Sequence, residues 1–441
     1  MTGLEKKTLL ETKANVFRGL WDQSHPRGCD RDSGVLLVLA GLCCLVPSSP
    51  VRDPHEDELV NHDHSFKYQS FCSGFTDFSS MVDVYRRTTH QSNTSNVLLS
   101  PMSITAAFVV LSLGAEADTS AQILRGININ LSDAYMNVIL TCYRELNLLS
   151  ESENYQLPLV TGTSLFIDRS VKLRSGFATD IQNTYHTHIL PITFRDSTRA
   201  KDQINKHVEK ETQGLIQDSV DDLPEGTALV LVNYITFHGK WSSALEGKRI
   251  VEEDFHVDKD TTVRVPMLNL LGIFDLHRDQ NLSCWVVLEH MKGGATAFFF
   301  LPDPGKLQQL EETLTFQHVN DILKTSTVRS VNLQFPKLSI SATYDLKEVL
   351  NDMNITKIFS NGAHLSGITK HAPLKLSKAV HRAVLTIDEK GTEAAGSPSL
   401  EDSHWATHHT IRFNRPFLIV IKEEFSDFIL FIAKVLNPML R

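Results

Sequence analysis

Residues 387–417 read IDEKGTEAAGSPSLEDSHWATHHTIRFNRPF. A strand predicted over 383–387 runs into Glu389-Lys390-Gly391, and small residues follow: Thr392, Ala394, Ala395, Gly396 and Ser397. Next comes a polar, charged segment with one large aromatic, Trp405, before strand character resumes at Ile411. A connection of about twenty residues inside a compact domain is uncommon, and is usually functional or disordered. Small residues suit a segment that must slide between two existing strands, because their side chains clear a crowded interior. A surface loop with no role has the same composition, so composition alone leaves both readings open.

The flanks give the fold class. Beyond the loop, 417–421 and 428–435 are apolar and separated by a polar turn, a hairpin expected to be buried. Upstream, 100–113 opens on Ser-Pro and is apolar nearly all round, which predicts a deeply buried helix. The 200–214 segment sets Ile204 and Val208 four apart among charges and stops on Gly214, an exposed amphipathic helix. ALVLVNYITF at 228–237 is a strand covered on both faces, and 296–301 and 331–344 read as further strands. Helices come first and strands dominate the second half, so the class is α+β with large, mostly antiparallel or mixed sheets. No linker or repeat interrupts 66–441, which reads as one domain; 50–65, charged and rich in His, reads as a mobile N-terminus.

The chain has 441 residues, 41% apolar, with a formal net charge of −9, which argues against nucleic acid as a partner. VLLVLAGLCCLV at 35–46 is too short to span a bilayer of about 30 Å. Followed by Pro47, Ser48 and Ser49, it fits the apolar core of a secretory signal peptide within a leader over 1–49. The 34 residues before it are either an unusually long n-region or an alternative or mis-assembled first exon. Sequons at Asn93, Asn130, Asn281 and Asn354 favour the secretory pathway and predict a secreted glycoprotein, with the endoplasmic reticulum lumen as the other location. Of six cysteines, Cys29, Cys43 and Cys44 lie in the leader; Cys72, Cys142 and Cys284 are irregularly spaced and read as buried or free thiols.

No Gly-x-Ser-x-Gly elbow, His-Glu-x-x-His, phosphate-binding Gly-rich loop or Cys-x-x-Cys is present, so no catalytic residue is predicted. The histidine sets His62/His64, His186/His188 and His404/His408/His409 read as solvated or satisfied, so no metal and no cofactor are expected.

The hinge Glu389, Gly391, Thr392, Ala394, Ala395, Gly396 resembles that of inhibitory serpins, and Phe413-Asn414-Arg415-Pro416-Phe417 resembles the strand after their reactive loop. The resemblance runs from 91 to 438. Ser100, Ser103, Asn233, Trp241 and His381 resemble residues of the serpin shutter and breach, and Lys306 with Glu389 resembles the salt bridge at the top of the main sheet. The resemblance implies the serpin fold, with three sheets, about nine helices and an exposed reactive-centre loop. It implies a monomer that inhibits a serine protease: the enzyme cleaves Trp405-Ala406, and the loop inserts as a new strand and traps it. An aromatic before that bond suits a chymotrypsin-like pocket.

Some features depart from the family pattern. Pro398 lies inside the segment that would become a central strand, where it lacks an N–H to donate. Counting alternately from Thr392 turns Asp402 inward, where an unpaired charge is costly. Ala433 replaces a glycine usual in the closing strand, and 66–90 matches the family's first helix poorly. These favour the other reading, a non-inhibitory secretory protein that is a ligand carrier or a cleavable substrate.

Overall fold

The computed structural model describes residues 85–88, 94–127, 141–148, 157–388 and 408–440, apart from 87, 147, 186, 242–244, 292, 371–372 and 425. All of these belong to one compact unit, Asp57–Arg441. The leader, the 50–65 segment and the loop over 389–407 lie outside the described residues.

Helix α1 (Pro101–Gly114) is built as its sequence demands. The Ser100 hydroxyl accepts the Ser103 N–H, proline occupies the first turn, and every residue but Leu113 is buried. It packs against strands of two different sheets, β4 (Leu229–Lys240) and β14 (Ile429–Val435), and so occupies the interior between them. Helices α2 (Ala117–Gly126) and α3 (Ser175–Tyr185) follow. Helix α4 (Ser197–Glu211) starts three residues before its apolar pattern because Asp196 caps it, accepting the Arg199 N–H at 3.0 Å. Its buried stripe, Ala200, Ile204 and Val208, packs on Phe166, Val230, Val232 and Tyr234. With α5 (Leu307–Thr313), α6 (Phe316–Thr325) and α7 (Leu346–Asp352), seven α-helices and a 3-10 turn (Lys357–Phe359) have both ends among the described residues.

One sheet has five strands, ordered β10 (Leu338–Asp345), β11 (Lys378–Asp388), β4, β2 (Leu159–Asp168), β3 (Thr187–Ile192). Its centre is a parallel pair: β11 runs beside β4 from Lys378↔Val230 to Asp388↔Lys240. The other sheet has nine strands: β1 (Val97–Leu99), β5 (Leu245–His256), β6 (Thr262–Asp279), β7 (Cys284–Met291), β8 (Ala295–Pro302), β9 (Thr327–Pro336), β12 (His409–Arg412), β13 (Phe417–Glu423) and β14. The three expected sheets are therefore hydrogen-bonded as two among the described residues. The cause is β6, 18 residues long, which pairs with β5 and β9 and then, from Asp275, with β7.

The strand expected over 331–344 is two strands in different sheets, β9 and β10, broken at Lys337. The break was written in the sequence as a change of phase: Leu333 and Phe335 are odd, Leu338 and Ile340 even, and a one-residue slip exchanges the two faces. The C-terminal hairpin forms as expected, β13 antiparallel to β14, with Ala433 buried between Leu98 and Ile419. Cys284 is a buried free thiol, its pKa raised to about 12 by desolvation. Cys142 corrects the expectation of buried or free thiols: it is disulfide-bonded, to a partner outside the described residues.

Gly367 lies directly on the end of α1. A Cβ there would stand 2.6 Å from the Gly114 carbonyl oxygen and 2.8 Å from its carbon, both backbone atoms that cannot rotate away. Gly367→Ala should lower the thermal midpoint, by overpacking on the order of 1–3 kcal/mol. Gly362→Ala, whose nearest neighbour is Ser360 Oγ at 3.5 Å, should leave it nearly unchanged.

Candidate functional site

A polar residue in the middle of a buried apolar strand must be hydrogen-bonded. Asn233 is such a residue, in β4, and strand register gives it His381 of β11 on one side and Thr163 of β2 on the other. Its Oδ1 lies 2.7 Å from His381 Nδ1 and accepts from Ser103 Oγ at 3.0 Å. Its Nδ2 donates to the Gly162 carbonyl at 3.2 Å and to Thr163 Oγ1 at 3.1 Å. The Ser100 backbone N–H donates to His381 Nε2 at 3.1 Å. That bond fixes the tautomer: Nε2 carries the lone pair, so the proton is on Nδ1 and is donated to Asn233. Burial drives the imidazole pKa down to about 3. Ser100, Ser103, Asn233 and His381 are all fully buried, so the start of α1 is tied to the two strands at the centre of the sheet.

The chain leaves this sheet at Asp388, the end of β11, and enters the other at His409, the start of β12. The hinge residues Glu389, Gly391, Thr392, Ala394, Ala395 and Gly396, together with Trp405 and Ala406, lie between these points and outside the described residues. After the loop, β12 pairs in parallel with β9, the His409 ring lies 5.3 Å from Trp285, and Arg415 Nε donates to the Pro302 carbonyl at 2.9 Å. Trp285 also carries Arg278, 5.7 Å from its ring centre, and Arg278 is paired with Asp303 at 2.6 Å. The two ends of the loop are thus anchored in different sheets.

Lys306 is not at the end of β11. It stands in the turn after β8, bonded to Gln309 at 3.0 Å, as the N-cap of α5. The lysine that register brings to that end is Lys337, because Leu338 pairs with Ile387. The pairing of β10 with β11 is a tertiary fact, and nothing local to Lys337 announces it. Trp241 follows β4, 2% exposed, with ring contacts to Phe274, Phe299 and Phe335. Thr161, Gly162, Thr163 and Tyr143 complete the polar cluster and were not singled out from sequence. The one signal for the first three is the run TGTS at 161–164 inside an apolar strand; nothing in the sequence marks Tyr143. Tyr143 Oη lies 3.1 Å from Thr161 Oγ1, and a Cβ on Gly162 would strike the Tyr234 hydroxyl at 2.4 Å. Of the sequons, Asn281 and Asn354 are exposed; Asn93 and Asn130 lie outside the described residues.

Residues 76–438 match the family described as Serpin (serine protease inhibitor). The chain is 50% identical to human alpha-1-antitrypsin-related protein over 412 residues, covering 91% of this chain and 97% of the relative. It is 48% identical to alpha-1-antiproteinase of Callosciurus caniceps over 404 residues, covering 91% and 98%. Among solved structures it resembles human thyroxine-binding globulin complexed with thyroxine (TM-score 0.75, 35% identity, 85% of this chain and 99% of that one). It also resembles mouse protein-Z dependent protease inhibitor (TM-score 0.77, 28% identity, 86% and 100%).

Two outcomes follow from the buried cluster. Asn233→Ala strands the buried His381 Nδ1–H, a loss of about 1–3 kcal/mol, and should lower the thermal midpoint. His381 binds a proton near pH 6.5 when unfolded but only near pH 3 when folded. Its contribution is therefore complete above about pH 6.5 and is lost towards pH 3, at up to about 1.4 kcal/mol per pH unit. Thermal midpoints between pH 7.5 and 4.5, values of about neutral to mildly acid, should fall less steeply in His381→Gln than in the parent protein.

Proposed function

This chain belongs to the serpin family of serine protease inhibitors, and on that premise we propose that it is a suicide substrate whose loop is cleaved after Trp405 and inserted between β4 and β11. The observation that carries the reading is the parallel β4–β11 pair with the loop issuing from the end of β11. A chain that turns back at Asp388 runs antiparallel to both strands. Insertion replaces one parallel ladder by two antiparallel ones, the slightly more stable arrangement per residue. Attack by the protease serine on the Trp405 carbonyl forms the acyl-enzyme and releases the Ala406 amine. The 389–405 segment then hangs from β11 alone, while the chain from 406 stays with the other sheet through β12. Seventeen residues at about 3.4 Å each reach about 58 Å, against about 36 Å for the eleven paired positions, so the enzyme is carried beyond the far end of the cleft.

The target is a chymotrypsin-like serine protease, because Trp405 offers a large aromatic to its specificity pocket. Glu389, Gly391, Thr392, Ala394, Ala395 and Gly396 act as the hinge. Ser100, Ser103, Asn233 and His381 hold the strands until the loop enters, and the His381–Asn233 bond must break as they part. The protein works as a monomer, needs no cofactor, and is not itself an enzyme. It is secreted after removal of the 1–49 leader and glycosylated at its sequons; exposed Asn281 and Asn354 suit this role.

A second reading, a non-inhibitory carrier or a cleavable substrate, is favoured by Pro398 and Asp402 and by the likeness to a thyroxine-binding globulin. The two readings part in one assay. Mixed with chymotrypsin, the secreted protein should give a complex that survives SDS and heating, and Thr392→Arg should abolish it. Pro398→Ala should raise the complexed fraction at the expense of cleaved protein. Cleavage after Trp405 with no complex at any ratio of the two would overturn the inhibitor reading.

A further inference from the structure

Helix α7 stops beside α2. Asn354 is the left-handed residue after α7, at φ 61°. Both bonds of a Schellman stop close around it: the Asn354 N–H donates to the Asn351 carbonyl at 2.9 Å, and the Ile355 N–H donates to the Leu350 carbonyl at 2.8 Å. The residues on either side are buried, Met353 at 6% and Ile355 at 0% exposure. Ile355 lies so close to α2 that a Cβ added to Gly126 would stand 2.2 Å from Ile355 Cγ1. Gln122 of α2 holds the next two residues, its Oε1 accepting the Thr356 N–H at 3.1 Å and the Lys357 N–H at 2.7 Å. Asn354 itself is exposed. It is therefore a surface asparagine on a turn that is fixed to α2 from both sides.

Asn354 also lines a concavity of about 480 Å³, with Asp118, Ala121, Gln122 and Arg125 of α2 on one wall and Asn354 and Lys357 on the other. That volume lies in the range of small-ligand clefts. Lys357 Nζ is paired with Asp118 at 3.0 Å, while Arg125 has no hydrogen bond or ion pair among the described residues. Asn354-Ile355-Thr356 is an acceptor for an N-linked glycan. We propose, on the premise that Asn354 is glycosylated as set out above, that this groove is the seat of its glycan. The N-acetylglucosamine rings nearest the chain lie against α2 and fasten it to the end of α7. Sugar hydroxyls and acetamide groups both donate and accept. Arg125 only donates and the Asp118 carboxylate only accepts, so α2 alone meets both halves of that chemistry. The guanidinium, without a partner in the protein, is the donor on which the seat depends.

The test uses the full protein secreted from cells that glycosylate it, with mass spectrometry of the 354-containing peptide to show the sugar. A peptide N-glycosidase acting on the folded protein should release the Asn354 glycan slowly. Arg125→Ala should speed that release on the order of tenfold, the ratio that the loss of one hydrogen bond to a charged group gives. Thr356→Val removes the glycan but keeps Asn354 and its left-handed turn, and the Thr356 hydroxyl makes one long contact, 3.5 Å to Gln122 Nε2. Arg125→Ala should lower the thermal midpoint of the glycosylated protein and leave that of Thr356→Val nearly unchanged. Arg125 is exposed, and circular dichroism would show its variant to be folded. A 354-containing peptide without sugar would overturn the glycosylation and this inference with it. Sugar present, but released equally fast from the parent and from Arg125→Ala, would overturn this inference alone.

Discussion

The bond between Asn233 and His381 is the point on which the centre of the molecule turns. It joins the middle of β4 to the middle of β11, and it is reached from below by Ser103 and by the backbone of Ser100 at the start of α1. Every group in it is buried and each has one role: Asn233 Oδ1 accepts, His381 Nδ1 donates, His381 Nε2 accepts. A network satisfied this fully is rigid while intact and unfavourable when partly opened, since each stranded donor loses its water as well as its partner. Two parallel strands are thereby held together along a line where the sheet has no covalent crossover.

The remainder of the fold makes that line usable. Helix α1 lies between the two sheets, so a movement of β4 is felt at the helix that caps the cluster. The long strand β6 binds the other sheet into one piece; β13 and β14 lie inside it, and β12 lies at its edge beside β9. The loop therefore connects the end of β11, in the parallel pair of one sheet, to the start of β12 in the other.

Much of this was legible in the residue order. Local rules explain why. The capped, all-round apolar helix at 101–114, the amphipathic helix at 197–211, the doubly buried strand at 229–240 and the C-terminal hairpin depend on neighbours within a few residues. The split at Lys337 was also present, as a shift of alternation by one residue, but a continuous run of strand-forming side chains hid it. Lys306 and Lys337 show the limit. Both are lysines beside strands, and only the pairing of β10 with β11 says which of them stands next to the loop.

By itself, then, the sequence determined the elements, their class, and a long loop whose first half is rich in small residues and whose second half carries Pro398, Glu401 and Asp402. Tertiary structure decided what long-range pairing alone can decide. It set the parallel register of β11 on β4, which faces His381 with Asn233. It placed Thr163 and Gly162 beside that pair, and set the turn at Asn354 against α2. The hydrogen bonds around Asn233 join residues 70 to 148 positions apart in sequence. No period, cap or turn carries that information, and so the loop was visible from the sequence while the parallel strand pair it issues from was not.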